Sequence, residues 1–157
     1  MVTSLTFEDR ATRYARDIVG GKILACKLTI LACQRHLNDL KRQNTPDFPY
    51  VFNPLMRDSH GKEYYPAERV CMFIELLPHV KGKWDRDRMT IKLEDFQVFA
   101  LVSIFGWINQ DTALRRFRTV YYELARKNAK TTLAAAVGLY LEVADDEAGA
   151  EVYSAAT

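Results

Sequence analysis

The sequence predicts an α/β protein in which a helical N-terminal region is followed by one βαβ unit. Two observations lead to this prediction. Apolar residues recur near the 3.6-residue period of a helix in several stretches before residue 109. A strand-like run, a helical run and a second strand-like run then follow each other. Because such an order joins parallel strands, we expect a parallel pair with a right-handed crossover.

The composition is typical of a globular domain. The chain has 157 residues, of which 48% are hydrophobic and 27% charged, with a net charge of +2. A chain of this size buries about two-thirds of its unfolded surface. No run of 18 apolar residues and no apolar leader segment is present, so we expect neither a transmembrane helix nor a signal peptide. These features exclude collagen-like, low-complexity and wholly disordered classes.

Three cysteines, Cys26, Cys33 and Cys71, predict free thiols in a reducing compartment, since no C-x-x-C pair occurs. Cys26 and Cys33 are two helical turns apart, so we expect both thiols to be buried on one apolar helix face. The three histidines are not spaced from the cysteines as in zinc sites. We therefore predict no metal site made of Cys and His.

The N-terminal elements are helical. Residues 7–42 show an apolar stripe interrupted at Gly20 and Gly21, and Thr6 with Asp9 forms a weaker version of a capping box. Packing against protein is favoured over a membrane-surface role, because any packed helix shows such a stripe. Residues 43–66 hold four of the five prolines, which predicts an extended linker with turns.

Two further helices are expected before the βαβ unit. The first covers residues 67–77, with Pro66 suited to its first turn. A loop follows, and then a very apolar helix over residues 93–108 that ends near Gly106. Three aromatic side chains are assigned to the core rather than to base stacking. They are Trp84, Phe96 and Trp107.

The predicted βαβ unit begins with a strand at residues 117–122, which are rich in β-branched and aromatic side chains. Its helix starts within residues 127–132 and runs to about residue 144. Residues 145–147 are interpreted as a solvated acidic turn, and residues 151–156 as the second strand. The segment before the helix is basic, with six cations against one acid, which suits phosphates or a solvated basic face. The cations are Arg115, Arg116, Arg118, Arg126, Lys127 and Lys130.

Residues 124–131 resemble a phosphate-binding loop, whose pattern is G-x-x-x-x-G-K-[ST] between a strand and a helix. Lys130 and Thr131 fill the last two positions, while Leu124 and Ala129 replace the glycines. Such a loop needs inward-facing amides, one lysine at the phosphates and one hydroxyl for Mg²⁺. The alternative is a basic helix start without a ligand. Since cations are disfavoured at a helix N-terminus, this position favours a bound anion.

Segments along nearly the whole chain carry a family resemblance. They are ACQRHLNDL, FPYVFNP, LPHVKGKW, LEDFQVFALVSIFGW, LRRFRTVYYELARKNAKTTLAA and GAEVYSAAT. Together they resemble the N-terminal part of the large terminase subunit of tailed bacteriophages, of the HK97-like kind. The family tolerates the missing first glycine and typically reads R-K-N-G-K-[ST]. This sequence departs from it at Ala129, which predicts weaker ATP binding.

The resemblance implies an ATP-driven motor that moves viral DNA into a procapsid, joined to a C-terminal nuclease that cuts concatemeric DNA. Residues 1–92 would be its helical N-terminal region. Residues 93–157 would begin an ASCE-type P-loop NTPase domain with an incomplete parallel sheet. The implied partners are double-stranded viral DNA, the small terminase subunit, the portal protein and further copies in a ring, with no membrane. The implied location is the cytoplasm of the bacterial host and, transiently, the procapsid portal.

The resemblance also implies roles for individual residues around ATP and Mg²⁺. Lys130 would contact the β- and γ-phosphates, and Thr131 would bind Mg²⁺. Arg126 would be the catalytic arginine at the γ-phosphate, with generic phosphate or DNA attraction as its alternative. Gln97 would read the adenine edge, with an exposed helix residue as its alternative. The remaining cofactor-binding positions would be Lys127, Asn128, Ala129 and Thr132.

The sequence lacks two features of the family. No apolar run ending in Asp-Glu follows Lys130, and the nuclease carboxylates are absent. We therefore expect a truncated terminase that does not turn over ATP by itself. The alternative is a non-catalytic, prophage-derived module that binds DNA or a partner. An unrelated helical DNA-binding domain is disfavoured, because no helix-turn-helix spacing stands out.

Overall fold

The computed structural model describes residues 5–80, 83, 86–147 and 149–155. Within these residues the chain is built mainly of helices, with four very short strands. The helices are α1 (Phe7–Val19), α2 (Lys27–Arg42), α3 (Pro66–Leu76), α4 (Asp95–Gly106) and α5 (Lys130–Val143). The strands are β1 (Tyr50–Phe52), β2 (Met56–Arg57), β3 (Glu63–Tyr64) and β4 (Trp107–Asn109).

The N-terminus of α1 is fixed by its own cap and by α3. Thr6 Oγ1 accepts from the Asp9 amide at 3.0 Å, and Asp9 Oδ2 accepts from the Thr6 amide at 3.3 Å. This completes the predicted capping box, a motif whose side-chain cap stabilises a helix by about 1 kcal/mol. The Glu68 carboxylate on α3 accepts from the amides of Phe7 and Glu8. The predicted break at Gly20 and Gly21 is confirmed, since α1 ends at Val19.

Helix α4 lies at the centre of the core and packs against α1 and α3. It is apolar nearly all round, and Val98, Leu101, Val102 and Phe105 are at most 4% exposed. Gly106 is the last residue of α4. A side chain at this position would not fit, because its Cβ would lie 2.9 Å from Cε2 of Phe52. The predicted helix end at this glycine is confirmed.

A cluster of aromatic rings joins α2, β1 and β4. Strands β1 and β4 are antiparallel, with Val51 opposite Ile108. Trp107 is 1% exposed, its ring packs on Phe52 at 5.0 Å between centroids, and its indole N–H donates to His36 Nδ1 at 3.4 Å. The assignment of Trp107 to the core is confirmed, Phe96 is half-buried, and Trp84 lies outside the described residues.

The predicted linker at residues 43–66 contains β1, β2 and β3. Strands β2 and β3 form an antiparallel hairpin, with Met56 opposite Tyr64. Pro54 lies between β1 and β2, Pro46 and Pro49 precede β1, and Pro66 begins α3. None of these prolines occupies a pairing position, so the residues of these strands remain free to donate. The following helix, α3, starts at Pro66 as predicted.

The predicted parallel pair is absent from the described part of the chain. Residues 117–125 and 151–155 follow irregular paths, and both sheets are antiparallel. Val120 and Tyr121 are 48% and 85% exposed. A strand exists only through a ladder of hydrogen bonds to a neighbour, so strand-forming residues without one stay irregular. The chain is therefore α/β with small antiparallel sheets, and its predicted P-loop sheet is not observed.

The three cysteines are free, but they do not share one environment. Cys33 and Cys71 are buried, and burial raises the pKa of the Cys33 thiol to about 11. Cys26 is exposed, so its predicted burial was wrong. Helix α2 begins at Lys27, one residue later than Cys26. The thiol therefore lies before the helical face on which the spacing placed it.

Candidate functional site

The candidate site is the loop that leads into α5. Lys127 and Ala129 both have the left-handed backbone conformation, with φ of 70° and 55°, whereas Asn128 between them does not. Alternation of this kind turns successive amide N–H groups toward one concave side, an arrangement that binds anions. The Asn128 side chain donates to the Ala125 carbonyl at 3.3 Å and ties the turn together.

The first turn of α5 offers unpaired amides and positive charge. Its N-cap, Ala129, has no side chain that can accept a hydrogen bond, and its first turn holds no acidic residue. Lys130, Thr131 and Thr132 are exposed. Because the first amides of a helix carry a partial positive charge, this end of α5 suits an anion such as a phosphate.

Ala129 occupies the position that a phosphate-binding loop gives to glycine. In the left-handed region the Cβ of an L-residue crowds the following carbonyl, at a cost of about 1–2 kcal/mol. A glycine here would let the backbone approach a phosphate closely. It would also suit the backbone conformation, since the chain has positive φ at this residue.

An open groove of about 960 Å³ extends from this loop along α5. Lys130 and Thr131 lie at one end, and the walls are mostly apolar. They come from α4, from residues 114–122, from α5 and from the last described residues. The wall residues include Ala100, Leu101, Ile104, Phe117, Val120, Leu133, Ala134, Val137, Leu141, Ser154 and Ala155.

Gln97 is not part of the groove lining. It is 6% exposed, and its side-chain oxygen accepts from the Glu94 amide at 3.0 Å as part of a capping box on α4. The alternative interpretation of Gln97 as an exposed helix residue was therefore wrong. Ala100 and Leu101, one turn further along α4, do line the groove. The structure thus brings Lys130 and Thr131 to the groove and leaves the Gln97 amide in a structural hydrogen bond.

The basic segment divides into structural and exposed cations. Arg115 pairs with Asp145 at 2.6 Å, and Arg116 pairs with Asp39 at 2.7 Å. The side chain of Asp145 is only 8% exposed, and Asp146 accepts from the backbone and hydroxyl of Ser59. The prediction of a solvated acidic turn was therefore wrong, because two of its carboxylates fix neighbouring segments.

The other four cations of the segment form no ion pair within the described residues. All are exposed. Two of them, Arg118 and Lys130, line the groove, while Arg126 and Lys127 lie on the loop. These side chains are available to phosphates.

Tyr122 is a groove residue that the sequence analysis assigned only to a strand. Its hydroxyl is buried and has no hydrogen-bond partner in the described structure. Burial, with a smaller contribution from Tyr14, raises the pKa of this phenol to about 12. Strand propensity alone gives no signal for such an unpaired hydroxyl, because its environment depends on α1, which is distant in sequence.

Residues 95–157 match the family model of the terminase large subunit, ATPase domain. The matched segment makes up 63 of the 157 residues and is similar to that ATPase domain. The match begins at the first residue of α4 and includes the loop and α5. It confirms the terminase resemblance for this segment. Comparisons with curated proteins and with solved structures give no match.

The described residues hold no group of three or more His, Cys, Asp or Glu side chains that would bind a metal. Among the described helices, none has both the length and the apolar character needed to cross a membrane.

Proposed function

We propose that this chain belongs to a terminase large subunit and contributes the phosphate-binding loop of an ATP-driven motor that moves viral DNA into a procapsid. The observation that supports this most is the loop geometry. Two left-handed residues precede an uncapped helix start that carries Lys130 and Thr131. Both the loop and the helix lie inside the segment that matches the terminase ATPase family.

The loop suits ATP and Mg²⁺ by the chemistry of its donors. The Lys130 ammonium and the first amides of α5 would bind the β- and γ-phosphates, and Arg126 would bind the γ-phosphate as the catalytic arginine. Lys127, Asn128, Ala129 and Thr132 would contribute the loop backbone and the first turn. The Thr131 hydroxyl would bind Mg²⁺, which typically takes few protein ligands beside phosphate and water. ATP, when bound, would supply the phosphoryl-transfer chemistry.

Gln97 can recognise adenine only with atoms of its side-chain amide that the capping box of α4 does not use. The oxygen of that amide already accepts from the Glu94 backbone. In this proposal the amide nitrogen donates to adenine while the oxygen stays in the cap. Gln97→Glu would keep the acceptor for the cap and remove the donor for the base.

The isolated chain would bind nucleotide without turning it over. Among the described residues that line the groove, no Asp or Glu side chain is present to activate water. The remaining expectations belong to the intact motor: a C-terminal nuclease, double-stranded viral DNA, the small subunit, the portal and a ring of copies in the host cytoplasm. They rest on the family alone.

Titration of the full 157-residue chain with a fluorescent Mg·ATP analogue tests the proposal. We expect Lys130→Ala to weaken binding at least tenfold, because the lysine is the phosphate contact. Lys62→Ala, which removes an exposed cation in the β2–β3 hairpin, is the matched control and should leave binding within twofold. Equal loss in the two variants, or no loss in either, would contradict the assignment.

Phosphate release measured on the same samples tests the absence of turnover. We expect a rate equal to that of a blank. Steady turnover that Lys130→Ala abolishes would show that the chain alone is an ATPase.

DNA binding without ATP turnover is a second candidate function. It is favoured by Arg118, Arg126 and Lys127, which are exposed and have no ion-pair partner in the described structure. Phosphate contacts of this kind make affinity fall steeply with salt. We expect the double substitution Arg126→Glu and Lys127→Glu to reduce both the affinity for duplex DNA and its salt dependence. A variant that binds duplex DNA like the wild type would exclude this loop as the contact.

A further inference from the structure

The N-terminal half of α2 presents an apolar face that no described residue covers. Leu24 is fully exposed, Leu28 is 72% exposed and Leu31 is 49% exposed. Lys27 and Arg35 are exposed beside them. We call these five residues the α2 face. Leu28, Leu31 and Arg35 follow one another at intervals of three and four residues, which places them on one line along the helix.

The opposite side of α2 already serves the core. Cys33 and His36 are at most 2% exposed and pack toward α1 and the aromatic cluster. The α2 face therefore lies on the side of the helix that is turned away from the core. Monomeric proteins rarely leave several large aliphatic side chains together in water, and such patches mark interaction sites.

The charge around the α2 face has one sign. Residues 18–38 contain no Asp or Glu. Lys27 has no ion-pair partner in the described structure, and Arg35 lies over the Phe117 ring at 4.9 Å without a carboxylate. Lys41 adds a further exposed cation on the next turns. An occupant of this face meets the leucines, with Arg35 on their line along the helix and Lys27 beside them.

We propose that the α2 face docks an acidic amphipathic helix of a partner protein. A helix with leucines on one side and Glu or Asp beside them complements the leucines and the cations near them. From Leu28 to Arg35 the face extends about 11 Å, the length of roughly two helical turns. This proposal is independent of the phosphate-binding loop, which lies on α5.

A synthetic helical peptide provides the probe. It carries leucine on one face, glutamate on both flanks and a fluorescein label, and a matched peptide has every glutamate replaced by lysine. Anisotropy titrations of the full chain should show binding of the acidic peptide and at least tenfold weaker binding of the basic one. Equal binding of the two peptides would overturn the proposal.

Substitutions locate the contact. Leu28→Glu should weaken binding of the acidic peptide at least tenfold, because it removes apolar area and adds a repelling charge. Lys27→Glu should weaken binding severalfold and reduce its salt dependence. Leu76→Glu is the control, since Leu76 is 75% exposed at the end of α3, and it should stay within twofold. Unchanged binding in Leu28→Glu would overturn the assignment to this face.

Cys26 provides an independent footprint. It is exposed at the start of α2, whereas Cys33 and Cys71 are buried, so alkylation of the folded chain reports on Cys26. Its alkylation rate should fall several fold when the acidic peptide is saturating. A constant rate would show that the peptide binds elsewhere.

Two other occupants are tested in the same way. Sedimentation of the chain alone should show a monomer. If the chain self-associates and Leu28→Glu abolishes that association, a second copy occupies the face and the proposal fails. Flotation with vesicles of phosphatidylcholine and phosphatidylserine should show no binding that depends on Leu28. Such binding would assign the face to a membrane surface instead.

Discussion

The pairing of backbone hydrogen-bonding groups differs between two regions of the molecule, residues 5–109 and residues 117–155. In the first region α1 and α4 carry capping boxes, α2 and α3 start without a side-chain cap, and β1 pairs with β4. In the second region α5 begins without a side-chain cap, and the flanking segments have no ladder. Buried backbone groups must be paired, whereas exposed ones can await a ligand or a neighbour. The first region therefore supplies stability, and the second leaves donors available for binding.

The largest effect should come from breaking the ion pair that ties Arg116, the residue just before the second region, to α2 in the first region. Arg116 pairs with Asp39, whose side chain is 6% exposed, and the guanidinium also stacks on Phe48 and Phe117. Asp39→Ala leaves the partly buried Arg116 without its carboxylate, and we expect a loss of about 3–5 kcal/mol. Urea unfolding measures it.

The exposed Asp47 is the matched control for that change. It pairs with Arg42 at 3.7 Å and has a side chain 78% exposed. Asp47→Ala should alter the free energy of unfolding by less than about 1 kcal/mol. Equal losses for Asp39→Ala and Asp47→Ala would mean that the two regions are not coupled through Arg116.

Acid should weaken the first region through His36. Burial lowers the pKa of this imidazole to about 4, from an ordinary value of 6.5. Nearby Asp39 opposes the shift and Arg35 adds to it. Because His36 binds a proton more readily in the unfolded chain, its neutral form contributes fully to the free energy of unfolding above pH 6.5. As the pH falls toward 4, the free energy of unfolding decreases by about 3 kcal/mol.

Urea unfolding between pH 4 and pH 7 tests this dependence. Protonation also removes Nδ1 as the acceptor of the Trp107 indole N–H. His36→Gln removes the titrating group and should flatten the profile between pH 6.5 and 4, whatever its effect at pH 7. A variant profile as steep as that of the wild type would assign the acid sensitivity to other groups.

The smallest effect should appear in the second region. Ala129→Gly relieves the left-handed strain and removes a methyl group from the loop, so we expect Mg·ATP binding to tighten at least threefold. Ala125→Gly, at an exposed loop residue without positive φ, is the control and should not tighten it. Calorimetric titration distinguishes the two. Tighter binding in both variants would indicate general loop flexibility instead.

The sequence was a good guide wherever the signal is local. Thr6 with Asp9, Pro66 and Gly106 mark helix ends through contacts within a few residues, and these ends were predicted. Lys130 and Thr131 were placed correctly at a helix start for the same reason. Capping and steric exclusion involve residues within one helical turn, so they can be predicted from the sequence without knowledge of the fold.

The remaining features depend on partners far away in the chain. No local sequence pattern predicts these contacts. They include the strand pairing of Val51 with Ile108 and the ion pairs Arg116–Asp39 and Arg115–Asp145. The strand predictions at 117–122 and 151–156 used propensity, which describes a residue's fit to a sheet and not the presence of a neighbour. The role of Gln97 in capping was missed because Glu94 is an uncommon N-cap residue.

The far end of α5 is held in two places, by Arg115 on Asp145 and by Ser59 on Asp146. Its near end carries the loop and has no side-chain cap. Between these ends Leu133, Ala136 and Tyr140 pack α5 into the core. The helix, about 21 Å long, is therefore fixed along its length as well as at its C-terminal end. The β2–β3 hairpin, which contributes Ser59, thus helps to position a helix whose opposite end carries the loop.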